Sequence, residues 1–290
     1  FYRGVRVLGP TRTAMYGNLQ PIIALAVAAA AARAPHGLAV ARSRLHHGRV
    51  AGVPSCASHA GSSSPLEFMK LVLFDIDGTL LRTDGAGRRA MERALLTVFG
   101  TTGSPEYRFD GKTDRQITRE QMRAAGFTDA TIDARMDDVF ELYVAQLTRE
   151  LDTNPAQAER LAGVPPLLER LRAHEGVTLG LLTGNIEPGA RRKLAAVDIA
   201  WEQFRVNAFG SDHEERSALP AVAQQRATTL LGRSIDGSQL VIIGDTPADI
   251  HCGRSLGVRA IGVATGRFST QELAQHDPYA VLDSLADTDA

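Results

Sequence analysis

The sequence predicts an α/β protein, in which a helical domain is inserted into a doubly wound parallel sheet. Apolar runs at residues 71–74, 177–183 and 240–244 are typical of strands buried on both faces of a parallel sheet. Helical patterns separate the later runs, which indicates crossover connections between parallel strands. Residues 84–161 interrupt this alternation, because they carry helical periodicity only.

Apolar spacing and turn residues place the individual elements. The strands are predicted at residues 71–74, 177–183, 204–209, 240–244, 259–263 and 280–282. The helices are predicted at residues 85–99, 114–125, 130–151 and 216–231, at residues 249–256, and from near Pro166 and Pro188. These elements predict a core domain of residues 69–83 and 162–290, with a helical cap domain of residues 84–161 over the carboxyl end of the first strand.

Residues 1–68 differ in composition from the rest of the chain. Residues 1–67 contain seven Arg, one Glu and neither Lys nor Asp. The apolar segment at residues 19–32 is shorter than the ~20 residues of a membrane-spanning helix, and residues 36–65 have the composition of a disordered segment. We therefore expect the first 68 residues to be disordered or artefactual, Met69 to be the natural start, and no membrane to be bound.

The overall composition is that of a globular protein, with 44% hydrophobic and 22% charged residues and a formal net charge of -1. The Arg residues are scattered and form no basic patch with interleaved aromatic residues, so we expect no nucleic-acid partner. Cys56 and Cys252 make neither a disulfide framework nor a metal-binding pattern. A reducing, cytoplasmic location is the simpler expectation, and the oligomeric state is left open.

Polar residues follow three of the predicted strands. They are Asp75 and Asp77 after the first strand, Thr183 and Asn185 after the second, and Asp245 and Asp249 after the fourth. The carboxyl ends of parallel strands lie at one edge of the sheet, so these side chains are predicted to converge. Crowded carboxylates favour a bound cation, and hard oxygen ligands favour Mg²⁺. Phosphoryl transfer fits this combination of groups.

Three motifs of the chain resemble those of the haloacid dehalogenase superfamily. They are DIDGT at residues 75–79, LLTGN at residues 181–185 and GDTPAD at residues 244–249. The resemblance is to the phosphatase branch, close to phosphoglycolate phosphatases with a helical cap, and it covers the chain from Met69 onward. It implies that Asp75 is the nucleophile, which forms an aspartyl-phosphate, and that Asp77 is the general acid and base.

The resemblance also implies a metal site and a phosphate site. Asp75, the main-chain carbonyl of Asp77 and Asp245 would bind Mg²⁺, and Asp249 would support them from the outer shell. Thr183 and Asn185, with Gly184 between them, would bind the phosphoryl oxygens.

The third motif of the superfamily departs from its usual pattern, because its Lys is missing. Arg216 occupies the matching place and keeps the positive charge, and Lys193 is the alternative for this role. In the predicted cap, Lys112 and Arg115 of the loop FDGKTDR are candidate substrate contacts. The predicted function is Mg²⁺-dependent hydrolysis of a small phosphorylated metabolite.

Other functions are open at this point. A sugar-phosphate mutase would share all of these motifs. Residues 85–90 match the G-x-G-x-x-A pattern of dinucleotide-binding oxidoreductases, but such a pattern should begin directly at the end of a strand. A membrane-anchored protein without catalytic activity, held through residues 19–32, is the alternative outside enzymes.

Overall fold

A computed structural model describes residues 69–286, and a parallel sheet forms the centre of this part of the chain. The strands are β1 (Lys70–Phe74), β2 (Leu81–Arg82), β3 (Glu159–Arg160), β4 (Val177–Thr183), β5 (Val206–Phe209), β6 (Leu240–Gly244), β7 (Arg259–Val263) and β8 (Ala280–Leu282). The sheet has six strands in the order β5-β4-β1-β6-β7-β8, and every neighbouring pair is parallel. The predicted fold class is therefore confirmed.

The helices are α1 (Ala86–Phe99), α2 (Asp114–Ala124), α3 (Asp129–Asp133), α4 (Met136–Thr153), α5 (Val164–Ala173), α6 (Glu187–Ala196), α7 (Leu219–Leu231), α8 (Pro247–Cys252) and α9 (Thr270–Ala274). The helices after β3, which are α5 to α9, alternate with the strands of the sheet. The chain runs outward from β1 to β4 and β5, and then returns to place β6 on the other side of β1. The strand order therefore reverses between β1 and β6, and in such sheets ligands bind at this crevice.

The apolar sequence of β1 explains its central position. All five of its residues are buried. Because side chains alternate along a strand, Val72 and Phe74 pack into the core on one face of the sheet, whereas Leu71 and Leu73 pack into the core on the other.

A helical insert, which we define as α1 to α4, lies between β2 and β3. These two short strands pair antiparallel, Leu81 with Arg160, where the chain leaves and re-enters the core. The insert has an apolar cluster of its own, formed mainly by α1 and α4. The exact domain boundaries at residues 84 and 161 stay a prediction.

Some predicted helices begin or end elsewhere in the structure. The helix predicted at residues 130–151 is divided into α3 and α4 before Met136, where Arg135 donates a hydrogen bond to the Val98 carbonyl and lies over the Phe99 ring. The helix predicted from Arg216 begins with a 3₁₀ turn, and the α-helix starts at Leu219, followed by Pro220, because proline favours the first helical turn.

Residues 85–90 form the start of α1 in the insert, and a turn connects them to the short ribbon strand β2. They do not follow a strand of the central sheet, so the context that dinucleotide binding requires is missing. Among residues 69–286, no helix has both the length and the apolar character to cross a bilayer. The predictions for residues 1–68, Cys56 included, lie outside the described residues.

Candidate active site

Three carboxylates meet where β1 and β6 end. Asp75 directly follows β1, Asp245 directly follows β6, and Asp249 lies in the first turn of α8. All three are buried, and one oxygen of each lies within 4.8 Å of the other two. The parallel pairing of β1 with β6 thus brings together residues that are far apart in sequence.

Glycines allow the surrounding loops to press against Asp245. Gly78 has φ 79°, in the left-handed region, and a Cβ there would lie 2.5 Å from Asp245 Oδ2. A Cβ on Gly266 would lie 1.7 Å from the same oxygen. Larger residues at either position would displace the carboxylate, so both glycines are required for the observed packing.

Asp249 links the helix start to Arg216. Its Oδ2 accepts hydrogen bonds from Thr246 N (3.0 Å) and Thr246 Oγ1 (2.6 Å). The bond from Thr246 N, with the bond that Asp249 N donates to Thr246 Oγ1 (3.3 Å), forms the capping box of α8. Its Oδ1 accepts a bond from Arg216 Nη2, which also lies 3.1 Å from Asp75 Oδ1. The buried guanidinium therefore bridges Asp75 and Asp249, while its Nε has no hydrogen-bond partner among residues 69–286.

Lys193 approaches a different carboxylate. Its Nζ lies 2.8 Å from Asp77 Oδ1, 2.7 Å from Asp77 Oδ2 and 2.7 Å from Asn185 Oδ1. The two cations that the sequence offered as alternatives for one role therefore both reach the site. Arg216 contacts Asp75, whereas Lys193 contacts Asp77.

The loop after β4 carries the second predicted group. Asn185 Nδ2 donates to Asp77 Oδ2 and to Thr183 Oγ1, both at 2.8 Å. Thr183 and Asn185 line the same cavity as Asp75, and so does Gly184. The amide of Asn185 thus orients Asp77 in the structure, and its contact with phosphate stays a prediction.

Burial and crowding disfavour the charged carboxylates. Burial raises the pKa of Asp75 to about 6, and nearby Asp249 and Asp77 add to this effect while Arg216 opposes it. Burial, followed by the charges of Asp75 and Asp249, raises the pKa of Asp245 well above its usual value. One guanidinium does not neutralise three carboxylates, so the group has the charge and the oxygen donors that suit Mg²⁺.

A cavity of about 790 Å³ opens from these carboxylates toward the helical insert. The insert contributes the wall residues Gly87, Met91, Phe109, Lys112 and Tyr143. Lys112 Nζ bonds Glu120 Oε2 at 2.6 Å and Tyr107 Oη at 2.8 Å, so much of its charge is already balanced. Arg115, the other predicted substrate contact, does not line this cavity, because it lies one residue beyond the inward-facing Asp114, on another side of α2.

Asp114 joins the insert to the core, a role that the sequence analysis missed. Its N donates to the Gly184 carbonyl, and its Oδ2 accepts from Ile186 N, both at 2.8 Å. The preceding Thr113 donates through Oγ1 to the Glu214 carbonyl. Burial raises the pKa of Asp114 to about 6. The only sequence signal was the predicted helix start at Asp114, which explains its position in α2 but not its contact with the core.

Comparisons with known proteins agree with this fold. A family model described as "haloacid dehalogenase-like hydrolase" matches residues 72–254. A phosphoglycolate phosphatase of Photorhabdus laumondii is 23% identical over 78% of this chain and 93% of its own. The tyrosine-protein kinase PtkA of Mycobacterium tuberculosis is 29% identical over 71% of this chain and 65% of its own. The crystal structure of a hydrolase from Pseudomonas syringae has a TM-score of 0.57, at 20% identity, covering 76% of this chain and 95% of that one.

The chain belongs to the haloacid dehalogenase-like hydrolase family. The predicted resemblance is therefore confirmed. The family and the phosphatase-named relatives also confirm the predicted enzyme class, a phosphatase of the haloacid dehalogenase type. The alternative function, a dinucleotide-dependent oxidoreductase, is overturned by this family match and by the position of residues 85–90 at the start of α1.

Proposed function

We propose that the protein hydrolyses a small phosphate monoester in a Mg²⁺-dependent reaction with Asp75 as nucleophile. The observation that carries this proposal is the division of two cations between two neighbouring carboxylates. Arg216 contacts buried Asp75, whereas Lys193 contacts Asp77, which is partly exposed to the cavity. Two carboxylates in different environments suit two chemical roles.

Asp75 and Asp245, with the main-chain carbonyl of Asp77, would hold the Mg²⁺ ion, and Asp249 would support them from the outer shell. Their fit rests on three buried carboxylates within 4.8 Å of one another and on their incomplete neutralisation by Arg216. When bound, the ion would offset the negative charge of the carboxylates and of the substrate's phosphoryl oxygens.

The residues divide the reaction into two steps. A carboxylate oxygen of Asp75 attacks phosphorus, the bond from phosphorus to the ester oxygen breaks, and Asp77 donates a proton to that leaving oxygen. Asp77 then accepts a proton from water as the water oxygen attacks phosphorus, which releases phosphate and restores Asp75. Thr183, Gly184 and Asn185 would hold the phosphoryl oxygens.

The cavity supports a small phosphorylated metabolite as the substrate. The helical insert forms one wall of the cavity, and Lys112 on this wall would contact the part of the substrate beyond the phosphate. A lid of this kind excludes water and large substrates. Because the P. laumondii relative is named a phosphoglycolate phosphatase, a small phosphate ester with a carboxylate group is the first compound to test.

The test is a panel of phosphorylated metabolites, scored by kcat/KM with Mg²⁺ and with EDTA. Asp75→Asn should lower kcat by roughly 10³-fold or more, because the amide is a poor nucleophile. Asp137→Asn, an exposed substitution on α4, is the control and should retain activity. Substantial Mg²⁺-dependent activity in Asp75→Asn would contradict the mechanism, and isomerisation of a sugar phosphate without phosphate release would identify a mutase.

A further inference from the structure

Lys193 is a buried cation without a part in the mechanism described so far. Its side chain is 5% exposed, whereas that of its partner Asp77 is 43% exposed. Lysine is rarely buried unless it is paired. The ammonium therefore supports Asp77 from the protein side and leaves the carboxylate open to the cavity.

Hydrogen-bond chemistry makes the arrangement of Lys193, Asp77 and Asn185 specific. An ammonium group can only donate, so the Asn185 atom that it contacts at 2.7 Å must be the amide oxygen. The amide nitrogen must then face Asp77 Oδ2 at 2.8 Å. Both oxygens of Asp77 thus accept bonds from Lys193, and one accepts a second bond from Asn185.

Residues of the helical insert also lie close to Lys193. Gly87 in α1 lies so close that a Cβ there would be 3.1 Å from Lys193 Nζ and 3.8 Å from Tyr143 Oη. Asp114, also from the insert, is buried near the ammonium and interacts electrostatically with both Lys193 and Asp77. Without Lys193, Asp77 would face this second carboxylate with only Asn185 to hold it.

We propose that Lys193 is a positioning residue that holds the Asp77 carboxyl toward the leaving oxygen of the substrate. This inference rests on the proposed function, in which Asp77 delivers the proton to that oxygen. Arg216 cannot replace Lys193, because it contacts Asp75 and Asp249 instead. The two cations therefore have separate roles, one on each carboxylate.

The test uses two aryl phosphates that differ in how much their leaving groups need a proton. 2,4-Dinitrophenolate leaves without protonation, whereas phenolate depends on the general acid. Lys193→Met keeps the apolar stem and should lower kcat/KM for phenyl phosphate by roughly 30-fold or more, but that for 2,4-dinitrophenyl phosphate by less than about threefold. The parameter kcat/KM reports only the steps up to leaving-group departure, so later water attack does not affect the comparison.

Two controls separate positioning from a general loss of structure. Lys112→Met removes the cation on the cavity wall and should change kcat/KM for both esters by the same factor. Asp77→Asn should show the same selectivity as Lys193→Met, and the double variant should be no worse than Asp77→Asn alone. Equal losses for both esters in Lys193→Met, or additive losses in the double variant, would overturn the inference.

Gly87→Ala provides an independent variant if Lys193→Met does not fold. The added methyl group displaces the ammonium without removing its charge, and alanine is favourable within a helix. We expect a smaller decrease in kcat/KM than in Lys193→Met, again greater for phenyl phosphate than for 2,4-dinitrophenyl phosphate. An equal decrease for both esters would argue against a positioning role of Lys193. Failure of the proposed function is recognised separately, because the wild-type protein would then hydrolyse neither ester or Asp75→Asn would remain active.

Discussion

At the scale of single residues, an ionisable side chain is buried where the helical insert meets the core. Asp114 is buried at the contact of the insert with the core, and burial is the largest cause of its raised pKa. Lys193 and the hydrogen bond from Ile186 N oppose this shift without cancelling it. The ionised carboxylate therefore reduces the stability of the folded protein near neutral pH.

Asp114→Asn should remove this pH-dependent penalty. A carboxyl whose pKa rises from 3.8 to about 6 on folding stabilises the protein below pH 3.8, and that stabilisation is lost as the pH rises through 6. The free energy of unfolding of the variant relative to wild type should therefore increase between pH 4.5 and pH 7.5, on the order of 2 kcal/mol. Urea unfolding at the two pH values measures the difference, and a constant difference would show that Asp114 does not titrate in this range.

At the scale of elements, helix α2 of the insert contacts two loops of the candidate active site. Arg119 of α2 lies 2.6 Å from Glu214, which precedes Arg216 by two residues. Thr113 bonds the Glu214 carbonyl, and Asp114 N bonds the Gly184 carbonyl. The position of α2 is therefore coupled to the loops that carry Arg216 and Asn185.

Glu214→Gln should weaken this contact without unfolding the protein. The loss of one partly exposed ion pair is worth up to about 1 kcal/mol, so kcat/KM should fall by roughly two- to fivefold. Glu215→Gln, a neighbouring exposed substitution, should leave kcat/KM unchanged. Equal effects in the two variants would mean that the ion pair does not hold the insert.

Gly184→Ala should have a larger effect on the same contact. Its Cβ would lie 2.0 Å from the Lys112 carbonyl oxygen, and main-chain atoms cannot rotate away as a side chain can. We expect a more than tenfold lower kcat/KM, by analogy with the cost of small misplacements in other enzymes. The matched control is Gly262→Ala in β7, whose Cβ would have its nearest contact at 3.4 Å, with the Leu273 side chain. Wild-type activity in Gly184→Ala would show that the insert need not approach the core so closely.

At the scale of the whole molecule, the order of the strands decides which charges meet. Asp75 and Asp245 become neighbours because β6 pairs with β1. Repulsion among Asp75, Asp245 and Asp249, which Arg216 only partly offsets, is a cost that the complete fold imposes in the absence of a metal ion.

Asp245→Asn should therefore remove most of the stabilisation that Mg²⁺ gives to the folded protein. In EDTA the variant should have a higher Tm than wild type, because one of three crowded charges is gone. With millimolar Mg²⁺ the wild type should gain Tm by ligand binding, whereas the variant should gain little. Thermal unfolding in both buffers is the measurement, and an equal gain in the two proteins would place the ion elsewhere.

Much of this architecture follows from the sequence by itself. Apolar runs determine β1, β4 and β6, and polar residues directly after them determine which side chains reach the carboxyl edge. Asp75, Asp77, Thr183 and Asp245 could be selected in this way because each lies within three residues of a strand end. The sequence did not predict the division between α3 and α4, because Arg135, where the helix is interrupted, makes contacts with residues distant in sequence.

Only the tertiary structure decided the partners of the long side chains. Spacing along the chain placed Arg216 and Lys193 near the site but could not assign one to Asp75 and the other to Asp77. A flexible side chain carries its charge several bonds away from its Cα atom, so the relative positions of α6, the sheet and the insert determine what it reaches. The contacts of Asp114 depend on the same packing, because its partners lie outside the helical insert.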